Sequence, residues 1–432
     1  MNNDNTLIPK YRFPEFKNDN FILTTLKDLG EFQRGISYKP ENVSNQGTLV
    51  LRSGNIQENK IDIRKDLVYV TKFIKPELLL KSNDIVICMS NGSKSLVGKS
   101  AEFIVNNTIG DVTVGAFCSF YRPKNEIVKY ILQLPEFHKY VQLKLGGGNI
   151  NNLKNTDLES FSALISSNPT EQQKIAACLS SLDDVIAGHE EKLTTLEEHK
   201  KGLLQNLFPQ EGATQPKYRF PEFENDGDWV EKTIIDTADK NIKWCFTGGP
   251  FGSNLKSSDY TSSGIRIIQL QNIGDGIFND EYKIYTSLEK ADELLSCNIY
   301  SGDIILSKMG DPVGRACIMP GDNERFVMAS DGIRLAVNEK EFSKYFIFSL
   351  INSDIIRTKI EAKSTGSTRK RIGLDVLKQI PLLIPKTLNE QQKIASVLSS
   401  IDELIIAQRE KIEALKEHKK GLMQGLFPKI ES

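Results

Sequence analysis

The stretch EQQKIAACLSSLDDVIAGHEEKLTTLEEHKKGLLQNLFPQ at residues 171–210 returns as EQQKIASVLSSIDELIIAQREKIEALKEHKKGLMQGLFPK at residues 390–429, with 24 of 40 positions identical. The octapeptide PKYRFPEF also occurs twice without change, at 9–16 and at 216–223. The order of octapeptide, divergent segment and repeated stretch is therefore written twice in the 432 residues. A tandem repeat of this kind predicts two structural units with the same architecture.

The repeated stretch has the apolar spacing of a coiled coil. Apolar residues recur at alternating intervals of four and three over about five heptads, which indicates a helix that packs along a partner helix. Lys200 and Lys419 occupy matching seam positions and are expected to extend out of the seam. The other predicted seam residues, with the polar His189 and Gln408 interpreted as register-setting positions, are Ile175, Leu179, Leu182, Ile186, His189, Leu193, Leu196, Leu203, Leu207, Ile394, Leu398, Ile401, Ile405, Gln408, Ile412, Leu415, Leu422 and Leu426.

Sequence signals also mark the ends of the two helices. Thr170 and Asn389 each stand three residues before a glutamine and predict capping boxes. Phe-Pro at 208–209 and at 427–428 ends both helices, because proline cannot continue a helix. A helix of about 38 residues between such signals is roughly 57 Å long.

The repeat also predicts how the two helices pair. The linker LFPQEGATQPKYRFPEF joins the first helix to the second octapeptide. The segment LFPKIES at the end of the sequence, followed by MNNDNTLIPKYRFPEF at its start, would make the same linker between the second helix and the first octapeptide. An antiparallel helix pair brings those two ends together, whereas a parallel pair does not. We therefore expect a pseudo-two-fold tandem repeat in which an antiparallel two-helix coiled coil separates two globular domains.

The two divergent segments have the pattern of α+β domains. β-branched runs predict strands at 85–87, 112–120, 265–270 and 303–306, and helices are expected near 127–143 and 342–360. The predicted organisation is an N-terminal segment 1–16 that completes the circular repeat, globular domain 17–168, helix 169–210, linker 211–223, globular domain 224–386 and helix 387–429.

Composition and charge exclude several classes of protein. With 55 basic and 56 acidic residues, the chain is not a polyanion binder that works through bulk charge, but a local basic surface is still compatible with DNA binding. Residues 17–168 carry a net charge of +4, and residues 224–386 carry −2 but concentrate Lys363 and Arg369–Arg371 beside a Ser/Thr/Gly loop. Such a loop suits phosphate contacts, with a solvated turn as the alternative.

Targeting and redox signals point to the cytoplasm. The sequence contains no apolar stretch long enough to span a membrane, and its N-terminus is polar rather than a signal peptide. The six cysteines are widely spaced, as expected for small core residues in a reducing compartment. We therefore predict a cytoplasmic protein with no membrane contact.

A search for catalytic motifs finds none that is complete. SKSLVGKS at 93–100 approaches a phosphate-binding loop, but Ser93 stands where the first glycine is required. The four histidines have no metal-ligand spacing with cysteine or carboxylate, so no metal site is expected. The sequence predicts neither an active site nor a cofactor of its own.

The segment GSTRKRIGLDVLKQIPLLIPKTLNEQQKIASVLSSID at 366–402 resembles the signature of the specificity subunit of type I restriction–modification systems. Its first copy, GGGNINNLKNTDLESFSALISSNPTEQQKIAACLSSLD at 146–183, matches more loosely. The resemblance covers essentially the whole chain, and the duplicated EQQKIA helices are its most specific part.

This resemblance implies a non-catalytic chain that directs catalysis by others. The two globular domains would be target recognition domains, each reading one half of a split double-stranded DNA sequence. The helices would set the spacing and dock two modification (methyltransferase) subunits that bring S-adenosylmethionine. Restriction (motor–nuclease) subunits would join the complex and use ATP and Mg.

Base-contact candidates are chosen for side chains that pair with base edges, with arginine suited to guanine and asparagine or glutamine to adenine. For each residue, a solvent-exposed loop position is the alternative. The candidates for DNA binding are Arg34, Arg52, Asn55, Asn91, Lys94 and Asn149 in the first domain, and Ser253, Asn254, Lys256, Gln269, Gln271, Asn272, Lys308, Arg369, Lys370 and Arg371 in the second.

Two other functions fit the repeat. One is a stand-alone DNA-binding regulator with two modules, which would bind specific DNA tightly without a partner. The other is a scaffold whose divergent domains bind proteins, which would leave sequence-specific DNA methylation unchanged when it is removed.

Overall fold

The computed structural model describes residues 8–104, 110–146, 151–321, 323–367 and 369–428. The chain divides into two compact units, of which unit 1 is Met1–Glu190 with Lys411–Ser432 and unit 2 is Glu191–Glu410. Each unit therefore contains one globular domain and parts of both long helices. No helix among the described residues is long and apolar enough to cross a membrane.

The globular part of unit 1 is built from short strands and short helices. Its helices are α1 (Leu26–Leu29), α2 (Val128–Ile131), α3 (Pro135–Leu145) and α4 (Asn155–Glu159). Its strands are β1 (Phe21–Thr25), β2 (Gly30–Arg34), β3 (Val43–Ser44), β4 (Thr48–Leu51), β5 (Ile56–Gln57), β6 (Lys60–Ile61), β7 (Tyr69–Val70), β8 (Ile85–Cys88), β9 (Ser100–Glu102), β10 (Val112–Val114), β11 (Cys118–Pro123) and β12 (Ser162–Ser166). The long helix α5 (Pro169–Leu207) follows.

Unit 2 contains a second set of the same kind. Its helices are α6 (Leu288–Glu293), α7 (Lys344–Ile351), α8 (Asp354–Ala362) and α9 (Leu374–Lys378). Its strands are β13 (Val230–Thr233), β14 (Phe246–Gly248), β15 (Tyr260–Thr261), β16 (Ile265–Ile268), β17 (Ile284–Thr286), β18 (Asn298–Tyr300), β19 (Ile304–Ser307), β20 (Met309–Gly310), β21 (Ala316–Ile318), β22 (Arg325–Met328), β23 (Gly332–Leu335), β24 (Lys370–Arg371) and β25 (Pro381–Ile384). The second long helix, α10 (Leu388–Leu426), follows β25.

The two units share one sheet topology although their globular sequences have diverged. The order β2-β11-β8-β9 in unit 1 corresponds to β14-β23-β19-β21 in unit 2, and β10-β4-β7-β3 corresponds to β22-β16-β17-β15, to which unit 2 adds β18 beside β22. A parallel pair occurs at the same place in each unit, between β4 and β10 and between β16 and β22. The predicted α+β class and the tandem repeat are therefore confirmed.

Several predicted elements are interrupted. The run 112–120 forms two strands because the chain turns at Gly115–Phe117. The helix expected near 127–143 is split, since Pro135 starts a new helix and the residue before it is extended. The helix expected near 342–360 breaks at Ser353, which is also extended and whose Oγ donates to the Leu350 carbonyl at 2.6 Å.

The predicted caps of the long helices are wrong by two residues. Asn168 Oδ1 accepts from Thr170 N at 2.9 Å, and Thr387 Oγ1 accepts from Glu390 N at 3.4 Å. Thr170 and Asn389 thus lie inside the first turn, because an equivalent polar residue two positions earlier already accepts an N–H group there. The Phe-Pro signals agree with the observed helix ends at Leu207 and Leu426.

Each octapeptide docks on the long helices of its own unit. Tyr11 N donates to the Gly425 carbonyl at 2.8 Å in unit 1, and Tyr218 N donates to the Asn206 carbonyl at 3.0 Å in unit 2. Gly425 and Asn206 are matching positions of the two helices. The N-terminal octapeptide therefore lies against the last turns of α10, and the second octapeptide lies against those of α5.

A buried ion pair fixes each octapeptide. Arg12 binds both carboxylate oxygens of Glu171 at 2.9 and 2.8 Å, and Arg219 binds those of Glu390 at 2.8 Å each. All four side chains are at most 9% exposed. Trp229 Nε1 adds a third donor to Glu390 at 3.1 Å. The repeated sequences of the octapeptide and of EQQKIA therefore form the same Arg–Glu ion pair in both units.

The long helices run antiparallel within both units, because the contacts of α10 move back along α5 as α10 advances. Lys416 pairs with Glu190 before Lys419 pairs with Asp183 in unit 1, and Asp402 pairs with Lys200 before Arg409 pairs with Glu197 in unit 2. In unit 1 Lys419 Nζ is 2.6 Å from Asp183 Oδ1, and in unit 2 Lys200 Nζ is 2.6 Å from Asp402 Oδ1. The same two aspartates accept hydrogen bonds from Tyr130 (3.1 Å) and Tyr345 (2.5 Å) of the globular parts. The expectation that the two seam lysines extend outward is wrong, because each is drawn into a Tyr–Asp–Lys group.

Candidate nucleic-acid interface

In unit 2 the polar candidates gather at one edge of the two sheets. Gly249 follows β14, and a Cβ there would lie 1.8 Å from the Ala329 carbonyl oxygen, so glycine lets the loop approach the turn before β23. The backbone N–H of Lys308 donates to the Asp331 carbonyl in that turn at 2.6 Å. A cleft of about 230 Å³ lies between these segments and is lined by Pro250, Gly252, Leu255, Tyr260, Gln269, Leu270, Ala329, Ser330 and Asp331.

Basic side chains flank this cleft. Strand β24 pairs with β20 directly after Lys308, and Arg371 Nη2 lies 3.1 Å from Asp331 Oδ1. Lys370 is ion-paired with Glu361, and Arg369 is exposed. Partly exposed pairs of this kind contribute little to stability, so these cations can exchange carboxylate for phosphate at low cost. The structure thus brings Lys308, Lys370 and Arg371 to the edge that holds Gln269.

The remaining candidates of unit 2 are on exposed loops. Ser253, Asn254 and Lys256 are exposed in the loop whose Gly252 and Leu255 line the cleft. Gln271 is exposed two residues after Gln269.

Unit 1 presents the equivalent edge with different side chains. Arg34 is exposed at the end of β2, and Arg52 is exposed directly after β4. Asn91 is half-buried and donates from Nδ2 to Ser53 Oγ at 3.2 Å, which places it beside Arg52. Lys94 is exposed on the following turn. Asn149 lies outside the described residues.

Two candidates are wrong as base contacts because they are buried and fully used by the fold. Asn55 is 2% exposed and Asn272 is 0% exposed. Each accepts the backbone N–H three residues earlier through Oδ1 at 2.9 Å and donates from Nδ2 to two carbonyls of the following hairpin. Their amide groups therefore bracket a loop and cannot reach a base.

The close approach at Gly249 gives a testable expectation. We expect Gly249→Ala to destabilise unit 2 by about 1–3 kcal/mol, because the added methyl overlaps a backbone oxygen that cannot move without distorting β23. Gly252→Ala is the control in the same loop, since a Cβ there meets nothing within 4 Å. Chemical denaturation of both variants measures the difference, and equal stability of the two would contradict the assignment.

A scan against protein-family models matches the type I restriction modification DNA specificity domain at residues 18–198 and 254–417. The two matches cover most of the chain and fall one in each copy of the repeat. The chain belongs to this family. The earlier resemblance to type I specificity subunits is confirmed.

Relatives and solved structures agree with this specificity family. The type I restriction enzyme MjaVIII specificity subunit of Methanocaldococcus jannaschii is 24% identical over 372 residues, which is 83% of this chain and 82% of the relative. The putative MjaX specificity subunit of the same organism is 27% identical over 436 residues, 95% and 93% of the two chains. A crystal structure of a type I S subunit from M. genitalium has a TM-score of 0.61 at 16% identity, covers 98% and 100%, and shares the fold.

All predicted seam residues of the two long helices are buried or half-buried. Ile175, Leu179 and Leu426 pack into the core of unit 1, and Ile394, Leu398 and Leu207 pack into that of unit 2. His189 is half-buried and Gln408 is 7% exposed. The seam therefore also anchors each globular part to the helices.

Two aromatic residues at these edges were missed by the sequence reasoning. Phe117, in the turn between β10 and β11, is 67% exposed, and Phe251, next to the cleft of unit 2, is 84% exposed. An exposed phenylalanine can contact a thymine methyl group or wedge between base steps. The available signal was an aromatic residue among small residues in a strand-end loop, in GAF and GGPFG.

No group of three or more His, Cys, Asp or Glu side chains among the described residues could hold a metal ion. All six cysteines are free, and burial raises the pKa of Cys118 to about 12, so its thiol stays protonated and unreactive.

Proposed function

We propose that this chain is the DNA sequence-specificity subunit of a type I restriction–modification complex, in which each unit reads one half of a bipartite double-stranded target. The observation that carries the proposal is the pair of equivalent sheet edges, which share one backbone but present different polar side chains. An edge built in this way keeps the position of the reader constant while its sequence preference varies.

The proposal extends to partners and chemistry. The repeated helices dock two modification subunits, which bring S-adenosylmethionine, and the restriction subunits bring ATP and Mg. This chain is itself non-catalytic and has no cofactor of its own. The location proposed for it is the cytoplasm, since DNA is the proposed ligand and its six cysteines are all thiols.

Mapping methylated adenines in the host genome with and without this gene tests the proposed function. We expect one bipartite motif with a fixed unread gap to lose its methylation when the gene is deleted. An unchanged methylome would contradict the proposal. Tight, sequence-specific binding of DNA by the purified chain without any partner would favour the stand-alone regulator instead.

Lengthening the helices should change the gap in the motif. Insertion of one heptad between Glu190 and Glu191, together with one between Glu410 and Lys411, preserves the seam pattern of both helices. Seven residues add about 10.5 Å, which corresponds to about 3 bp of DNA. Motif mapping of the double insertion checks this, and a gap of the original length would show that the helices do not set the spacing.

A further inference from the structure

One backbone position occurs in both units and carries a different side chain in each. Arg52 is the first residue after β4, and Gln269 is the first residue after the equivalent strand β16. The backbone N–H of each donates at 2.9 Å to the side chain of the buried asparagine three residues later. The two positions are therefore equivalent in the fold, 217 residues apart.

The buried asparagine that holds this position makes the same hydrogen bonds in both units. Asn55 donates to the carbonyls of Asp62 and Lys65, seven and ten residues later, at 3.1 Å each. Asn272 donates to the carbonyls seven and ten residues after itself at 2.9 Å each. Because these hydrogen bonds are buried and directly follow a core strand, the position that they hold is rigid, as base recognition requires.

Each of the two side chains is braced by a single hydrogen bond. Arg52 Nη2 donates to the Asp66 carbonyl at 2.8 Å, and Gln269 Nε2 donates to the Tyr260 hydroxyl at 3.2 Å. Among the described residues, neither side chain makes another hydrogen bond. The brace restricts the side chain before DNA arrives, which lowers the entropy lost on binding.

The donors and acceptors that remain match two different bases. Arginine retains further N–H groups for the O6 and N7 acceptors of guanine, whereas glutamine retains Oε1 and one N–H for the N6 donor and N7 acceptor of adenine. An ionic contact with phosphate does not explain both positions, because the side chain is cationic in one unit and neutral in the other.

We propose that Arg52 and Gln269 are the equivalent base-reading residues of the two units, with Arg52 reading a guanine in one half-site and Gln269 reading an adenine in the other. This inference rests on the proposed function and makes it specific at one position of each half-site. It also excludes the neighbouring Asn55 and Asn272, whose role is to hold the readers.

The exchange variants Arg52→Gln and Gln269→Arg test the proposal in the full chain, expressed with its modification subunits and read out as the methylated motif. We expect Arg52→Gln to relax or change one G·C pair in one half-site and Gln269→Arg to relax or change one A·T pair in the other. Discrimination at the affected base pair should fall roughly 5- to 150-fold. All other positions of the motif should stay the same.

Arg52→Lys is the matched control, because it keeps the charge but loses the planar fork. If Arg52 only contacts phosphate, Arg52→Lys will behave as wild type and Arg52→Gln will lower methylation at all sites equally, which overturns the proposal. An unchanged motif in both exchange variants also overturns it. A motif that survives deletion of the gene refutes the proposed function instead, so the two failures differ. Melting temperatures identify a variant that fails to fold, in which case the substitution in the other unit decides.

Discussion

Replacing Glu390 by alanine should lower the free energy of unfolding of unit 2 by about 3–5 kcal/mol, since it removes one partner of a buried ion pair. Glu390 is 1% exposed and accepts from Arg219 at two positions and from Trp229 Nε1. Without the carboxylate, the guanidinium of Arg219, whose side chain is 7% exposed, has no anion to compensate its charge. The octapeptide then loses its anchor on α10.

Glu222→Ala is the matched control for this prediction. Glu222 belongs to the same octapeptide and pairs with Lys393 of the same helix at 3.4 Å, but both side chains are about half exposed. An exposed pair contributes at most about 1 kcal/mol. The free energy of unfolding of both variants is measured by denaturant titration, with hydrogen exchange of unit 2 as the readout. A loss in Glu390→Ala as small as in Glu222→Ala would show that the buried pair does not hold the octapeptide.

Leu398→Ala should destabilise unit 2 by about 2–5 kcal/mol, because it leaves a cavity in a packed core. Leu398 is fully buried where α10 meets the globular part, in one cluster with Phe208 and Phe346. Leu404 lies on the same helix, six residues later, and is 56% exposed. We expect Leu404→Ala to change stability by less than about 0.5 kcal/mol.

The comparison of these two leucines also tests the seam assignment. Leu398 is a predicted seam residue and Leu404 is not, although both are leucines of one helix. Calorimetric melting of the two variants provides the measurement. Similar melting temperatures would mean that the 4-3 pattern does not identify the residues that pack.

The sequence predicts the helices well because their signal is local and periodic. Seam positions repeat every 3.5 residues, and two copies of the pattern reinforce each other. The ion pair between Arg12 and Glu171 could not be predicted in this way, since 159 residues separate its members and no period links them. The repeated octapeptide indicated a common role but not the partner.

The polar edge shows a different limit of sequence reasoning. By chemical type, an asparagine after a buried strand suits base recognition and the bridging of a loop equally well, so the sequence predicts Asn55 and Asn272 as base contacts. Burial decides between the two roles, and burial depends on the hairpin that folds over each asparagine. Asn55 and Asn272 both bind carbonyls seven and ten residues later, and this common spacing within the repeat separates them from Arg52 and Gln269.

The docking of the first octapeptide on α10 has a consequence for synthesis of the chain. The core of unit 1 includes Met423, Leu426 and Phe427, which are synthesised after the whole of unit 2, whereas unit 2 is continuous from Glu191 to Glu410. Unit 2 can therefore complete its fold first, while the apolar surface of unit 1 stays exposed until these later residues are made. A premature stop near residue 411 would leave unit 2 intact and unit 1 incomplete. Aggregation and proteolysis of truncated products should therefore begin in unit 1, although most of it is synthesised before unit 2.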